Sequence, residues 1–160
     1  MTYMIYLTLP ITPPSLNSEI YNMNLAGWST EMVNHATGTF EVKLTPEEDK
    51  TGAEAVVGRM ALDKQFEGDI EGSSKGLMVM IGTAVQGSAG YVALEKVSGS
   101  IKGRKGTFYL QHHGIMNRGE GKLLVVVVPD SGTDELTGLA GSLEIKIENG
   151  KHYYDFEYTI

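Results

Sequence analysis

The chain contains no cysteine, so disulfides, thiolate nucleophiles and thiolate-bound metals are excluded together, as fits a reducing compartment. Basic residues are scarce: 13 lysines and arginines stand against 20 acidic residues, for a net charge of -7. Nonspecific attraction to nucleic-acid phosphates or anionic lipid is therefore disfavoured, and nucleic acid is not an expected partner. No lysine or arginine precedes Lys43, and Pro10 closes the apolar run Met4 to Leu9 early, so this start does not read as a signal peptide. Nothing else approaches the roughly 18 consecutive apolar residues of a membrane helix. The expectation is a cytoplasmic protein with no membrane partner.

Several chemical signatures are missing as well. No GxxxxGK[ST] is present, and no GxGxxG lies between a strand and a helix, so no nucleotide cofactor is expected. Ser73, Ser74 and Ser131 lack a nucleophile-elbow context. Asp130, Asp134 and Glu135 lack EF-hand spacing and fall in DSGTDE, an ordinary turn composition, so no metal is expected. His112 and His113 are adjacent in a strand, face opposite ways, and cannot chelate one ion together.

What remains is a chain of 160 residues, the size of one domain, with 20 glycines that imply many tight turns and short elements. Residues 1–34, interrupted by Pro10, Pro13 and Pro14, show neither strand nor helix period and read as an extension, with Trp28 its best docking residue. Residues 35–160 form the expected domain. Phe40, Val42 and Leu44 alternate with Thr39, Glu41 and Lys43, the period of a strand with one buried face. Ala55 to Phe66 and Ile70 to Gly82 are further strand candidates, with their register open because glycines and methionines blur the second.

Two hairpins are more specific. Asn149 and Gly150 supply a two-residue type I′ turn between alternating segments. Pairing Glu148 with Lys151 places Ile145 opposite Tyr154, Leu143 opposite Phe156 and Leu139 opposite Ile160, and sets Glu144 against Asp155 on the solvent face. In the second hairpin, a type II′ loop at Gly103 and Arg104 would pair Lys102 with Lys105, Val97 with Leu110 and Glu95 with His112. Tyr91, Ala93, Glu95, Val97, Phe108, Leu110 and His112 then share the inner face, while Lys96, Ser98, Tyr109, Gln111 and His113 share the outer one. The run Leu123, Leu124, Val125, Val126, Val127 and Val128 has no alternation, and such a strand is buried on both faces or meets a partner. It is the candidate surface for a homo-oligomer. Many short strands without a convincing helix indicate an all-β sandwich or barrel, and about eight strands would close a barrel.

From Ala36 onward the chain resembles a bacterial family known only as a domain of unknown function, number 3224, whose fold looks like the allene oxide cyclase barrel. The resemblance rests on ATGTFEV at Ala36 to Val42, on Lys64, Phe66, GDIEG and Ser74, on GYVALEKVSG at Gly90 to Gly99, on GRKGTFYLQHHG at Gly103 to Gly114, and on VVPDSGTDELTGLAG at Val127 to Gly141. It departs at His113, where a small polar residue is common, and at Asp130 and Asp134, in a loop usually richer in glycine. The resemblance implies a single closed antiparallel, calycin-like barrel of about eight strands. It carries over no catalytic residues. Members commonly start shortly before ATGTFEV, which makes Met32 a candidate start and Met1 to Glu31 a dispensable extension or a misassigned start.

The cavity candidates are Glu95, His112, Tyr91 and Glu71. Glu95 and His112, opposed on one inner face, would lie close enough for a carboxylate–imidazole hydrogen bond, a pair suited to moving a proton or to fixing strand register. Tyr91 lies four residues from Glu95, roughly 13 Å along the strand, at another depth of the cavity. Glu71, in GDIEGSS, is the fourth group expected to point inward. The leading expectation is a barrel holding a small, partly apolar molecule; the alternatives are an isomerase or cyclase acting by control of substrate conformation, and an oligomeric module.

Overall fold

A computed structural model describes residues 32–48 and 57–160. Eight strands carry the described chain: β1 (Asn34–Pro46), β2 (Gly58–Gly68), β3 (Ile70–Gly82), β4 (Ala89–Ile101), β5 (Arg104–Asn117), β6 (Glu120–Val127), β7 (Ala140–Glu148) and β8 (Lys151–Thr159). Each pairs antiparallel with the next, and β1 pairs with β8, so the sheet closes into a barrel. The readings of Trp28 and of the segment before Met32 lie outside the described residues.

Alternation decides which side chains enter the barrel. Along β4, Ala93, Glu95, Val97 and Ile101 are buried while Val92, Leu94, Lys96 and Ser98 are exposed. Along β5, Phe108, Leu110 and His112 are buried between exposed Tyr109, Gln111 and His113. The inner and outer sets of this hairpin are therefore as the periodicity predicts. Its turn is not: Ile101 pairs with Arg104 and Glu95 with Leu110, a register two residues away from the expected one. The turn residues are Lys102 and Gly103, with φ of 47° and 86°, the positive-φ pattern of type I′. The backbone N–H of Lys102 donates to the carbonyl of Asp69 at 2.7 Å, and its Nζ lies 3.7 Å from the Asp69 carboxylate. A neighbouring turn thus holds a lysine where glycine would be chosen on local grounds. A shift of two preserves every side chain's face, because the strand period is two.

The terminal hairpin follows expectation more closely. Asn149 and Gly150 have φ of 51° and 78°, and Ile145–Tyr154, Leu143–Phe156 and Glu144–Asp155 are paired. The ladder stops at Ala140–Thr159, so Leu139 and Ile160 are not paired in it.

The two ends of the barrel differ. One is filled: Phe40, Phe66, Ile70, Val97, Ile101, Phe108 and Phe156 pack with Tyr154 and Tyr158 into a continuous core. A 3-10 turn, Asp134–Leu136, lies against this end and buries Leu136. It fits because Gly106 has no side chain: a Cβ there would stand 2.3 Å from the carbonyl oxygen of Thr133. The other end is splayed. Strands β6 and β7 share one paired position, Val126–Ser142, and diverge from it toward the mouth.

Candidate functional site

Below the splayed end, four polar side chains meet inside the barrel. Lys64 on β2, Ser74 on β3, Glu95 on β4 and His112 on β5 are all buried. Glu95 is the centre. Its Oε1 accepts hydrogen bonds from Lys64 Nζ at 2.7 Å and His112 Nε2 at 2.7 Å, and its Oε2 accepts one from Ser74 Oγ at 2.5 Å. His112 reaches it diagonally, since the residue directly opposite His112 is Ala93. The small Ala93 leaves room for the ring, and a diagonal neighbour is within reach of a long side chain.

One glycine shapes this cluster. Gly76 is paired with Glu95, and a Cβ on it would stand 2.6 Å from the Cβ of Glu95. The glutamate therefore occupies space that any other residue at 76 would claim. Lys64 Nζ also lies 4.9 Å from the ring centroid of Phe40, close enough for a cation–π contact that offsets part of the loss of hydration.

The electrostatics of Glu95 are a contest. Burial pushes its carboxyl upward, but hydrogen bonding from His112, the charge and hydrogen bond of Lys64 and the hydroxyl of Ser74 together outweigh it and bring the group to about 2. A carboxylate so held stays ionised and accepts a proton poorly. With Glu95 ionised, His112 carries its proton on Nε2. Among the described residues His112 Nδ1 has no hydrogen-bond partner.

At the splayed end a pocket of about 650 Å³ is lined by Met78, Met80, Tyr91, Leu123, Ile145 and Ile147, with Lys122 and Glu144 at the parted β6–β7 edges. Register places His112 one inward position below Gly114, a layer deeper than the residues that line this pocket, and pairs Gly114 with Tyr91. The Tyr91 ring lies on that glycine: a Cβ at 114 would stand 2.1 Å from Tyr91 Cε1. Burial raises the phenol of Tyr91 above its ordinary value, and the negative charge of Glu95 raises it further. A second hollow, about 540 Å³, is a furrow between β1 and the β7–β8 turn, lined by Thr39, Glu41, Asn149 and Lys151 among others. Its polar lining makes it the poorer candidate.

Of the four expected cavity residues, Glu95 and His112 are brought together and Tyr91 stands above them. Glu71 does not join them. It is exposed and paired with Ser100, because Ile70 and Ser74 take the inward positions of β3 and parity sends residue 71 outward. Lys64 and Ser74 were not singled out as site residues from the sequence. The alternation Leu62, Lys64, Phe66 places a lysine on an apolar face, and that was the available signal.

A family model described as "Protein of unknown function (DUF3224)" matches residues 36–158. The chain belongs to this family. A solved structure of a protein of unknown function from the same family in Shewanella oneidensis MR-1 is 51% identical, with a TM-score of 0.75. The match covers 81% of this chain and 98% of that one. No curated protein matches the chain. Among the described residues, no helix is long and apolar enough to cross a membrane, and no three His, Asp or Glu side chains are grouped to hold a metal ion. The eight-stranded closed barrel agrees with the allene-oxide-cyclase-like fold expected for this family.

Proposed function

We propose that this barrel binds a small, largely apolar molecule at its splayed end, with one polar group of the ligand directed to Tyr91 and His112. The observation that carries the reading is the contrast between the two ends, one filled by aromatic rings and the other leaving about 650 Å³ lined mainly by methionine, leucine and isoleucine. Pockets of this size and lining suit compounds of drug-like dimensions. Methionines adapt to irregular shapes, so Met78 and Met80 favour an apolar body over a rigidly specified one. The Tyr91 hydroxyl and His112 Nδ1 supply orientation.

Binding is better supported than isomerisation. A cyclase or isomerase reading rests on fold-level analogy, and the carboxylate that would steer charge is already occupied by three donors. Glu95 in this reading is a preorganising group: it fixes the His112 ring and its tautomer.

Native mass spectrometry of the protein from its own cells should show a retained non-covalent mass, and 1-anilinonaphthalene-8-sulfonate should bind with fluorescence enhancement. Met78→Trp, which fills the pocket, should abolish both while leaving the barrel's circular dichroism intact. A bare chain mass combined with dye binding indifferent to Met78→Trp would exclude the reading.

A further inference from the structure

The outer wall of the barrel is divided. On β7, β8, β1 and β2 the outward positions are polar and rich in acid, with Glu41, Asp63, Glu144, Asp155 and Glu157 all exposed. On β3 to β6 the central outward positions form cross-strand rows of another kind. One row is Leu77, Leu94, Gln111 and Val126; the next is Val79, Val92, His113 and Leu124. Neither contains a carboxylate. Leu94 is 58% exposed, Leu124 55% and Val92 52%, and Ile81, Ile115 and Tyr109 extend the surface at its two ends.

The run Leu123 to Val128 takes its place here. Val125 and Val127 enter the core while Leu124 stays exposed, so of the two expectations for this run, burial on both faces or a meeting with a partner, the first does not hold. Leu124 and Val126 instead belong to the apolar wall. From the rows we infer that this β3–β6 face is where a second copy of this chain docks, wall against wall.

Area and charge both favour a copy over another occupant. Six large apolar side chains, each about half exposed, stand side by side with the flanks of their neighbours across four adjacent strands as one continuous apolar surface. A standard interface takes about 800 Å² from each partner, roughly 65% of it apolar in homodimers. The chain carries a net charge of -7, and approach through any other side of the wall would bring carboxylates together. Docking through the carboxylate-free face turns both acidic halves outward. Lys75 and Lys96 lie at one end of the face and can reach water around its rim. Insertion in a bilayer is disfavoured by the same division, because a spanning barrel needs an apolar band around its whole circumference.

Sedimentation velocity of the full chain, from micromolar to tenth-millimolar concentration, should show a dimer. Leu94→Asp and Leu124→Asp should each give a monomer with unchanged circular dichroism. Because the chain has no cysteine, Gln111→Cys introduces a single spin-label site. Electron double resonance should return a defined short label-to-label distance there, and a long or absent one from Glu41→Cys. A monomer throughout the range overturns the inference, whether or not it binds anionic phosphatidylglycerol vesicles through the same residues. So does a dimer that survives both aspartates or gives its short distance from residue 41.

Discussion

Lys64 Nζ stands 2.7 Å from the Glu95 carboxylate with both side chains withdrawn from solvent, a charge pair whose members depend on each other. Removing one partner of such a pair leaves a buried uncompensated charge and costs about 3–5 kcal/mol, whereas replacing both by apolar groups can be nearly neutral. Glu95→Gln should therefore destabilise strongly in urea unfolding. Lys64→Met combined with Glu95→Gln should recover much of the loss, with an interaction energy visible in the double-mutant cycle. If the two losses simply add, the pair is not coupled as described.

The same carboxylate predicts an acid limb. Its folded-state value lies below the ordinary one, 4.5 against about 2, so its contribution to stability is fully present above about pH 4.5 and is lost as pH falls through about 2. The difference corresponds to about 3 kcal/mol. Wild-type protein should lose stability across that interval, and Glu95→Gln should show a flatter profile there. His35 gives the opposite sign. The hydrogen bond to the Asp155 carboxylate, 3.0 Å from Nδ1, raises the imidazole above 6.5 against the opposing effect of desolvation. Its contribution is complete below about 6.5 and is lost as pH rises through the raised value. Asp155→Asn should move the His35 ring titration, followed by NMR, back toward its ordinary position.

Tyr154 pins three strands. Its hydroxyl accepts the Ile70 N–H at 2.8 Å and donates to the Glu67 carbonyl at 3.4 Å, and Gly38 lets it do so. A Cβ at 38 would stand 2.1 Å from that carbonyl oxygen and 2.5 Å from the tyrosine hydroxyl. Tyr154→Phe should cost about 1–3 kcal/mol, the penalty for an unsatisfied buried N–H. Gly38→Ala should cost at least as much, because backbone must move. Dye binding at the opposite end should survive Tyr154→Phe; its loss would mean that the two ends are not independent.

Much of this was readable from residues, and the reasons are specific. Strand parity placed Glu95, His112 and Tyr91 inside because period two survives an error of two in register. Direct opposition of Glu95 and His112 did not survive, because the turn is set by Asp69, which is distant in sequence from the hairpin it supports. Parity needs an anchor: without a register, β3 gave no decision at Glu71, and Ile70 and Ser74 supply it only in the folded barrel. Convergence of Lys64 and Ser74 on Glu95 depends on three strand pairings at once. The split of β6 from β7 likewise left no local signature beyond the apolar run itself.

That split supplies a direct test of how the pocket is entered. Val126–Ser142 is the one paired position of β6 and β7, and extending its register would bring Leu124 opposite Glu144. A disulfide needs Cα atoms within about 7 Å, so Leu124→Cys with Glu144→Cys can oxidise when the seam zips. The chain has no other thiol to compete. Cross-linking should proceed in the free protein and slow when 1-anilinonaphthalene-8-sulfonate occupies the pocket, because bound dye holds Leu123 and Ile145 apart. Once formed, the bridge should reduce the dye's association rate by at least tenfold and be reversed by dithiothreitol. An association rate unaffected by a fully formed bridge would place the entrance at the axial mouth, beside Met80 and Met116, instead of between the parted strands.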